Sequence, residues 1–308
     1  FSILHSPFSI LHSPFSIQKK MNPESTESLD YQKPPKEILE LVDVPRAPMV
    51  QMDRRGEYML LIYRDSYPTI AELSEKELRL GGLRVNPKTN IGSRVIFYKN
   101  IEVKRVIDKA GIPIVGLPEN ARLSNFIWSP CQTKVAFTHT SLEGVEIWFL
   151  DIKKAQAQRL STAYANANMD NPIHWFNDSN SLLVRMLPTD KKSIIDEDTA
   201  VPKGPIVSIS DGKKAQNRTY QDLLKDRNDE YNFEVLTSSE LYVIKLDGTS
   251  YKWLKDTNMY RTVIFSPDGN YVMITTTRRP FSYLVPYARF PFQTKIFTKD
   301  GVFVTIIN

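Results

Sequence analysis

Four times along the chain a large apolar residue is followed by a short polar stretch and then by an apolar run. The four stretches are "MDRRGEYMLL" from Met52, "WSPCQTKVAF" from Trp128, "WFNDSNSLLV" from Trp175 and "FSPDGNYVMI" from Phe265. In each, the second apolar run begins seven residues after the anchor, at Met59, Val135, Leu182 and Val272. The polar stretch carries Gly, Asp, Asn or Ser, the residue types that accept tight-turn geometry. The runs alternate with period two, which suits strands with one face buried. The pattern therefore predicts one strand–turn–strand unit used four times.

The anchors are separated by 76, 47 and 90 residues. A four-stranded propeller blade occupies roughly 40–50 residues, so the first and third units carry insertions. Residues 66–94 and 187–230 fill that role and do not read as strand. A short helix is expected around Ile70–Leu78 and a helical turn around Tyr220–Lys225. Each unit also has a second half, at 94–107, 145–160, 239–254 and 293–307. The last two place Asp-Gly between alternating runs, a strong hairpin signal. A β-sandwich would show similar hairpins, but the fixed order of anchor, turn, strand and hairpin favours blades. The expected fold is all-β: a β-propeller of about four blades of four antiparallel strands, in an incomplete ring, with short helical insertions. The blades are placed at 45–110, 115–165, 167–258 and 260–308, after an extension at 21–44 with a short helix. No Gly-His or Trp-Asp dipeptide marks the WD type.

The first twenty residues stand apart. "FSILHSP" occurs at 1–7 and 8–14, and "FSI" begins a third copy at 15–17. Pro in each full copy argues against a helix, and the segment lacks the basic leader of an export signal. It is read as low-complexity sequence or an artefact and is left out of the fold. The remaining composition is that of a globular domain: 41% hydrophobic and 24% charged. Forty basic against thirty-five acidic side chains give a net charge of +5, dispersed along the chain. That dispersion argues against a nucleic-acid binder, which concentrates charge on one face. No apolar run is long enough for a membrane-spanning helix. The single cysteine, Cys131, excludes an intrachain disulfide.

Catalytic motifs are missing. The histidines are His5, His12, His139 and His174, and no G-x-S-x-G elbow presents a nucleophile to any of them. Zinc spacings and phosphate-binding glycine loops are absent too, so no metal and no cofactor is expected. One stretch stands out, "TRRPFSYLVPYARFPF" at 277–292. It concentrates Arg278, Arg279 and Arg289 among Tyr283, Tyr287 and three Phe, stiffened by three Pro. As a loop at one end of the ring it could pack on a neighbouring domain. Alternatively it offers a basic, aromatic-walled surface to a substrate, since a guanidinium binds a carboxylate bidentately.

Four segments carry a resemblance: "YQKPPKEILELVDVPRAP" (31–48), "SYPTIAELSEKELRLGGLRVNPKTN" (66–90), "RTYQDLLKDRNDEYNFE" (218–234) and "RPFSYLVPYARFPF" (279–292). Over about residues 30–308 the chain resembles the N-terminal propeller of the prolyl oligopeptidase family of serine peptidases. Its segments are most like the glutamyl endopeptidase branch of Bacteroidetes-type bacteria and chloroplasts. The resemblance implies peptide substrates, and a C-terminal α/β-hydrolase domain of the same parent chain that supplies Ser, Asp and His. The sequence as given stops before such a domain, so no catalytic residue is carried over and no hydrolysis is expected of this chain alone. It also implies a gating role for the propeller and a periplasmic or secreted location. The candidate substrate-binding groups, Arg278, Arg279, Tyr283, Tyr287 and Arg289, come from the composition of the loop and not from the resemblance. The alternative is a stand-alone TolB-like propeller that binds a protein or peptide.

Overall fold

The computed structural model describes residues 33–196, 212 and 220–308. The 1–20 repeat and half of the polar insertion, with Pro202 and Pro205, lie outside the described residues. The chain divides into two units, Phe1–Val44 and Pro45–Asn308. In the first, helix α1 (Lys36–Val42) starts after Pro35, carries Glu37 in its first turn and is supported by a Lys36–Glu40 pair.

The second unit is a β-propeller. Its first blade contains β1 (Met49–Met52) and β2 (Tyr58–Tyr63). An insertion follows with α2 (Ile70–Leu73), β3 (Leu78–Leu80), β4 (Leu83–Asn86) and β5 (Ile91–Gly92). The blade closes with β6 (Asn100–Arg105) and β7 (Gly111–Ile112). The second blade is β8 (Leu123–Trp128), β9 (Lys134–Thr140), β10 (Val145–Asp151) and β11 (Gln156–Arg159). The third is β12 (Ile173–Trp175) and β13 (Ser181–Met186), an insertion with α3 (Arg227–Thr237), then β14 (Glu240–Lys245) and β15 (Ser250–Lys252). The fourth is β16 (Tyr260–Phe265), β17 (Tyr271–Thr277), β18 (Phe292–Thr298) and β19 (Phe303–Ile306). Each blade is a four-stranded antiparallel meander whose spatial order follows chain order.

All four anchors are the last residue of a blade's first strand. Met52 pairs with Met59, Trp128 with Val135, Trp175 with Leu182 and Phe265 with Val272, reproducing the seven-residue offset. The turns are equivalent down to one backbone torsion. Four residues past each anchor stands a left-handed residue: Gly56, Gln132, Ser179 and Gly269, with φ of 69°, 61°, 54° and 72°. Its N–H donates to the carbonyl of Asp53, Ser129, Phe176 or Ser266 respectively. A glycine takes this conformation without strain, and hydrogen bonds hold Gln132 and Ser179 in it.

Period-two alternation fills the spaces between blades. Val135, Phe137 and Leu150 of the second blade pack on Leu60, Ile62 and Val103 of the first. The opposite face, with Ala136 and Ile147, packs on Leu182 and Val184 of the third. Leu183, Leu241 and Val243 then meet Val263, Val272 and Ile274 of the fourth. No core cluster of described residues joins the first blade's own strands β1, β2, β6 and β7 to those of the fourth, β16 to β19, so the ring of blades is open. Ile264 and Tyr271 of the fourth blade are exposed, as are Val50 and Met52 of the first.

Several local expectations need correction. Helix α2 ends at Leu73 because Glu75 to Leu80 turn away into a small sheet, β3-β4-β5, where no strand was expected. These strands of two to four residues are too short to show a period. Tyr220–Lys225 is not helical; the helix starts later, capped by Asp226, whose side chain accepts from the N–H groups of Asn228 and Asp229. In the first blade the closing strands are Asn100–Arg105 and Gly111–Ile112, rather than one hairpin over 94–107.

Candidate functional site

The insertions that disturbed the repeat converge. Each connects the second strand of a blade to its third, and these connections share one end of a propeller. In the second blade the connection is a tight turn at 141–144. In the other three it is long, and the three pack together over a core of their own. Leu80 and Val85 come from the first blade, Phe233 and Leu236 from α3, and Phe281 and Phe290 from the 278–291 loop. The rings of Phe281 and Phe290 stack at 5.4 Å, and Phe233 meets both edge-on at 5.1 and 5.5 Å. Such aromatic contacts add to the area they bury. The loop lies close on Gly81–Gly82: Tyr287 N–H donates to the Gly81 carbonyl at 2.7 Å. A Cβ on Gly82 would stand 2.8 Å from Pro286 Cβ, and its φ of +85° disfavours any side chain.

The five loop residues singled out from the sequence do not converge on one point. Arg279 is held by α3: its Nη1 lies 2.7 Å from Glu230, its Nη2 and Nε 2.6 and 3.1 Å from Glu234, and it covers the Phe281 ring. Tyr283 donates to the same Glu230 at 2.5 Å, and this bond pushes its pKa up to about 12. Burial alone would raise Glu230, but hydrogen bonds from Tyr283 and Arg279 bring it below the usual carboxylate range. Arg278 donates to Gln293 at 2.8 Å. Arg289 is exposed, lies 5.2 Å above the Tyr220 ring and has no carboxylate partner among the described residues. Tyr287 is half-buried beside Phe233.

A second feature of this end gave no signal in the sequence. Between α2, the β3–β5 sheet and the start of β8 lies a cavity of about 590 Å³. Its walls are charged. Arg122 Nη1 and Nη2 lie 3.0 and 3.4 Å from the two oxygens of Glu75, and the guanidinium covers the Phe97 ring at 4.2 Å. Asn86 donates to Glu75 at 2.6 Å, and Lys99 meets Glu72 at 3.2 Å. Burial works against the Glu72 charge, yet hydrogen bonds from Thr69 and Lys99 keep its pKa lowered.

The described histidines are built in as neutral groups. His139 Nδ1 accepts the Arg122 N–H at 3.3 Å, and burial, with Arg122 nearby, lowers its pKa. Burial and Arg185 push His174 down to about 3. Neither hydrogen-bonds a Ser or Thr hydroxyl among the described residues. Those residues also include no cluster of three or more metal-ligating side chains, and no helix long and apolar enough to cross a membrane.

No family model matches the chain. A protein described as probable glutamyl endopeptidase, chloroplastic, from Oryza sativa subsp. japonica is 32% identical over 295 residues, covering 91% of this chain and 31% of that protein. The chain is similar to plant glutamyl endopeptidases. The Arabidopsis thaliana protein of the same description is 29% identical over 287 residues, covering 89% of this chain and 30% of its own length. The chain thus spans about a third of the length of these curated relatives. Among solved structures, Pyrococcus horikoshii acylaminoacyl peptidase matches with a TM-score of 0.44 at 13% identity, covering 87% of this chain and 33% of that one.

Proposed function

We propose that the chain is the non-catalytic propeller portion of a serine peptidase of the prolyl oligopeptidase family, glutamyl endopeptidase branch. In this reading it admits and selects peptides for a Ser-Asp-His hydrolase domain elsewhere in a longer protein. The observation that carries it is the extent of the similarity to the rice protein, 91% of this chain. A match confined to blades could not reach that share, so the cap segments are included. A repeat fold alone has no need of those segments. The loop at 278–292 is the substrate-side wall, with Arg278, Arg279, Tyr283, Tyr287 and Arg289 as its peptide-facing groups. Arg289 is the guanidinium left open to a substrate carboxylate, whereas Arg279 must first leave Glu230 and Glu234. The parent is exported to the periplasm or beyond, a point that fractionation of the tagged full-length protein tests.

A chimera tests the function directly. This chain replaces the matched residues of the rice protein, and cleavage is measured on peptides with Glu or Gln at the cleavage position. Cleavage after Glu is expected, with a selective loss on the Glu substrate in Arg289→Ala. The isolated chain should cleave neither peptide. A folded chimera that binds peptides but hydrolyses nothing would favour a stand-alone binding propeller.

A further inference from the structure

The cavity beside α2 has the attributes of a binding site whose occupant belongs to the protein itself. Its fixed part is Arg122. The backbone N–H of this residue is tied to His139, its guanidinium lies flat on Phe97, and its Nε is buried with no hydrogen-bond partner. Asn86 is equally fixed. It is buried on β4, and its Oδ1 accepts the N–H groups of Lys88 and Thr89, which leaves Nδ2 aimed at the carboxylate. Two guanidinium nitrogens and one amide nitrogen thus converge on a single carboxylate, now that of Glu75.

Glu75 is on the loosely held side. It follows a helix of four residues that buries none of them, and Leu73 beside it is 71% exposed. Segments with few buried contacts open at low cost. The cavity lining holds five basic residues, Arg64, Arg79, Arg94, Lys99 and Arg122, against four acidic ones, Asp65, Glu72, Glu75 and Glu77. Arg64 has no carboxylate partner among the described residues. When Glu75 swings out, the cavity gains a further unit of uncompensated positive charge, and a bidentate fork stands ready for another carboxylate. A volume of about 590 Å³ suits a side chain and its flanking peptide.

We propose that this cavity is a recognition site for the carboxylate of an acidic peptide side chain, anchored by Arg122 and Asn86, with Glu75 as a displaceable internal occupant. The choice of a peptide as ligand rests on the function proposed above; the carboxylate chemistry rests on the site. Binding to the 308-residue chain is measured by titration calorimetry. The probes are a short Glu peptide blocked at both ends, its blocked Gln counterpart, the Gln peptide with a free C-terminus, and inorganic phosphate. The blocked Glu peptide should bind at least about tenfold more tightly than the blocked Gln peptide, the scale of one charge-assisted contact. Glu75→Gln removes the competing charge while keeping the shape, and should tighten Glu-peptide binding about tenfold. Arg122→Lys should weaken it at least tenfold.

Equal affinity for blocked Glu and Gln peptides overturns the proposal. So does a Glu75→Gln variant that binds no more tightly than wild type, or binding only of the free C-terminus or of phosphate. If Arg122→Lys fails to fold, the Glu75→Gln comparison decides alone. The readout is binding, not hydrolysis, so the two readings fail separately. An active chimera whose Glu75→Gln variant is unchanged sinks only this site. An inactive chimera that binds Glu peptides as described sinks only the peptidase reading.

Discussion

Arg185 offers a sharp test of how the third blade is held to its neighbours. It sits on β13, is 3% exposed and has no carboxylate partner among the described residues. Nη1 donates to the carbonyls of Met169 and Tyr260 at 2.8 and 2.9 Å, and Nη2 to those of Asp170 and Asn171 at 2.8 and 2.6 Å. One guanidinium therefore clamps the segment entering the third blade, where Asp170 adopts a φ of +83°, to the first residue of β16 in the fourth. Burial lowers its pKa to about 10, which still leaves it charged at neutral pH. Buried ion pairs can often be replaced by apolar groups without loss. Here the partners are backbone carbonyls that no substitution removes. Arg185→Met leaves four acceptors to be satisfied by water or not at all, at about 1–3 kcal/mol for each one left bare. Some water will enter the vacated space, so the net cost is placed at about 3–5 kcal/mol. At about 2–4 °C per kcal/mol for a unit of this size, the melting temperature should fall by about 6–20 °C. Arg185→Lys keeps the charge but offers three donors from one point, and should fall between. The assay is thermal unfolding by circular dichroism, with amide exchange over residues 167–171. A melting temperature for Arg185→Met within about 1 °C of wild type would refute the clamp.

Two further outcomes follow from the same packing logic. Phe233→Ala empties the centre of the cap core and should cost about 3–5 kcal/mol, felt by amides of α3 and the 281–290 loop while those of β9 stay protected; a uniform loss of protection would show that the cap is not a separate layer. His174, with its pKa held near 3, takes up a proton on unfolding between about pH 6.5 and 3. Stability therefore falls as pH falls through that window, by up to about 1.4 kcal/mol per pH unit. His174→Asn should flatten the decline in melting temperature between about pH 6.5 and 4.5, and an unchanged slope would contradict a buried neutral imidazole.

What the sequence determined by itself is the blade. The anchor, the turn and the alternating run are local: a left-handed residue four past the anchor, a strand pair closed by that turn, and one apolar face every second residue. Each acts within about a dozen residues, so each leaves a readable pattern. Helix α3 was not read from the sequence: a helical turn was expected at Tyr220–Lys225, whereas the helix begins after its N-cap Asp226. The cap is different. Strands β3 to β5 are too short for a period, and they are ordered because Leu80 and Val85 find Phe233 and Phe290 from distant insertions. The concentration of arginines at 278–292 was visible, but α3 supplies the carboxylates that occupy Arg279. Glu75, Asn86 and Arg122 belong to three separate segments and match no motif. Only the stacking of blades brings them around one cavity, because their meeting depends on contacts between residues far apart in the chain, and side-chain spacing does not encode such contacts.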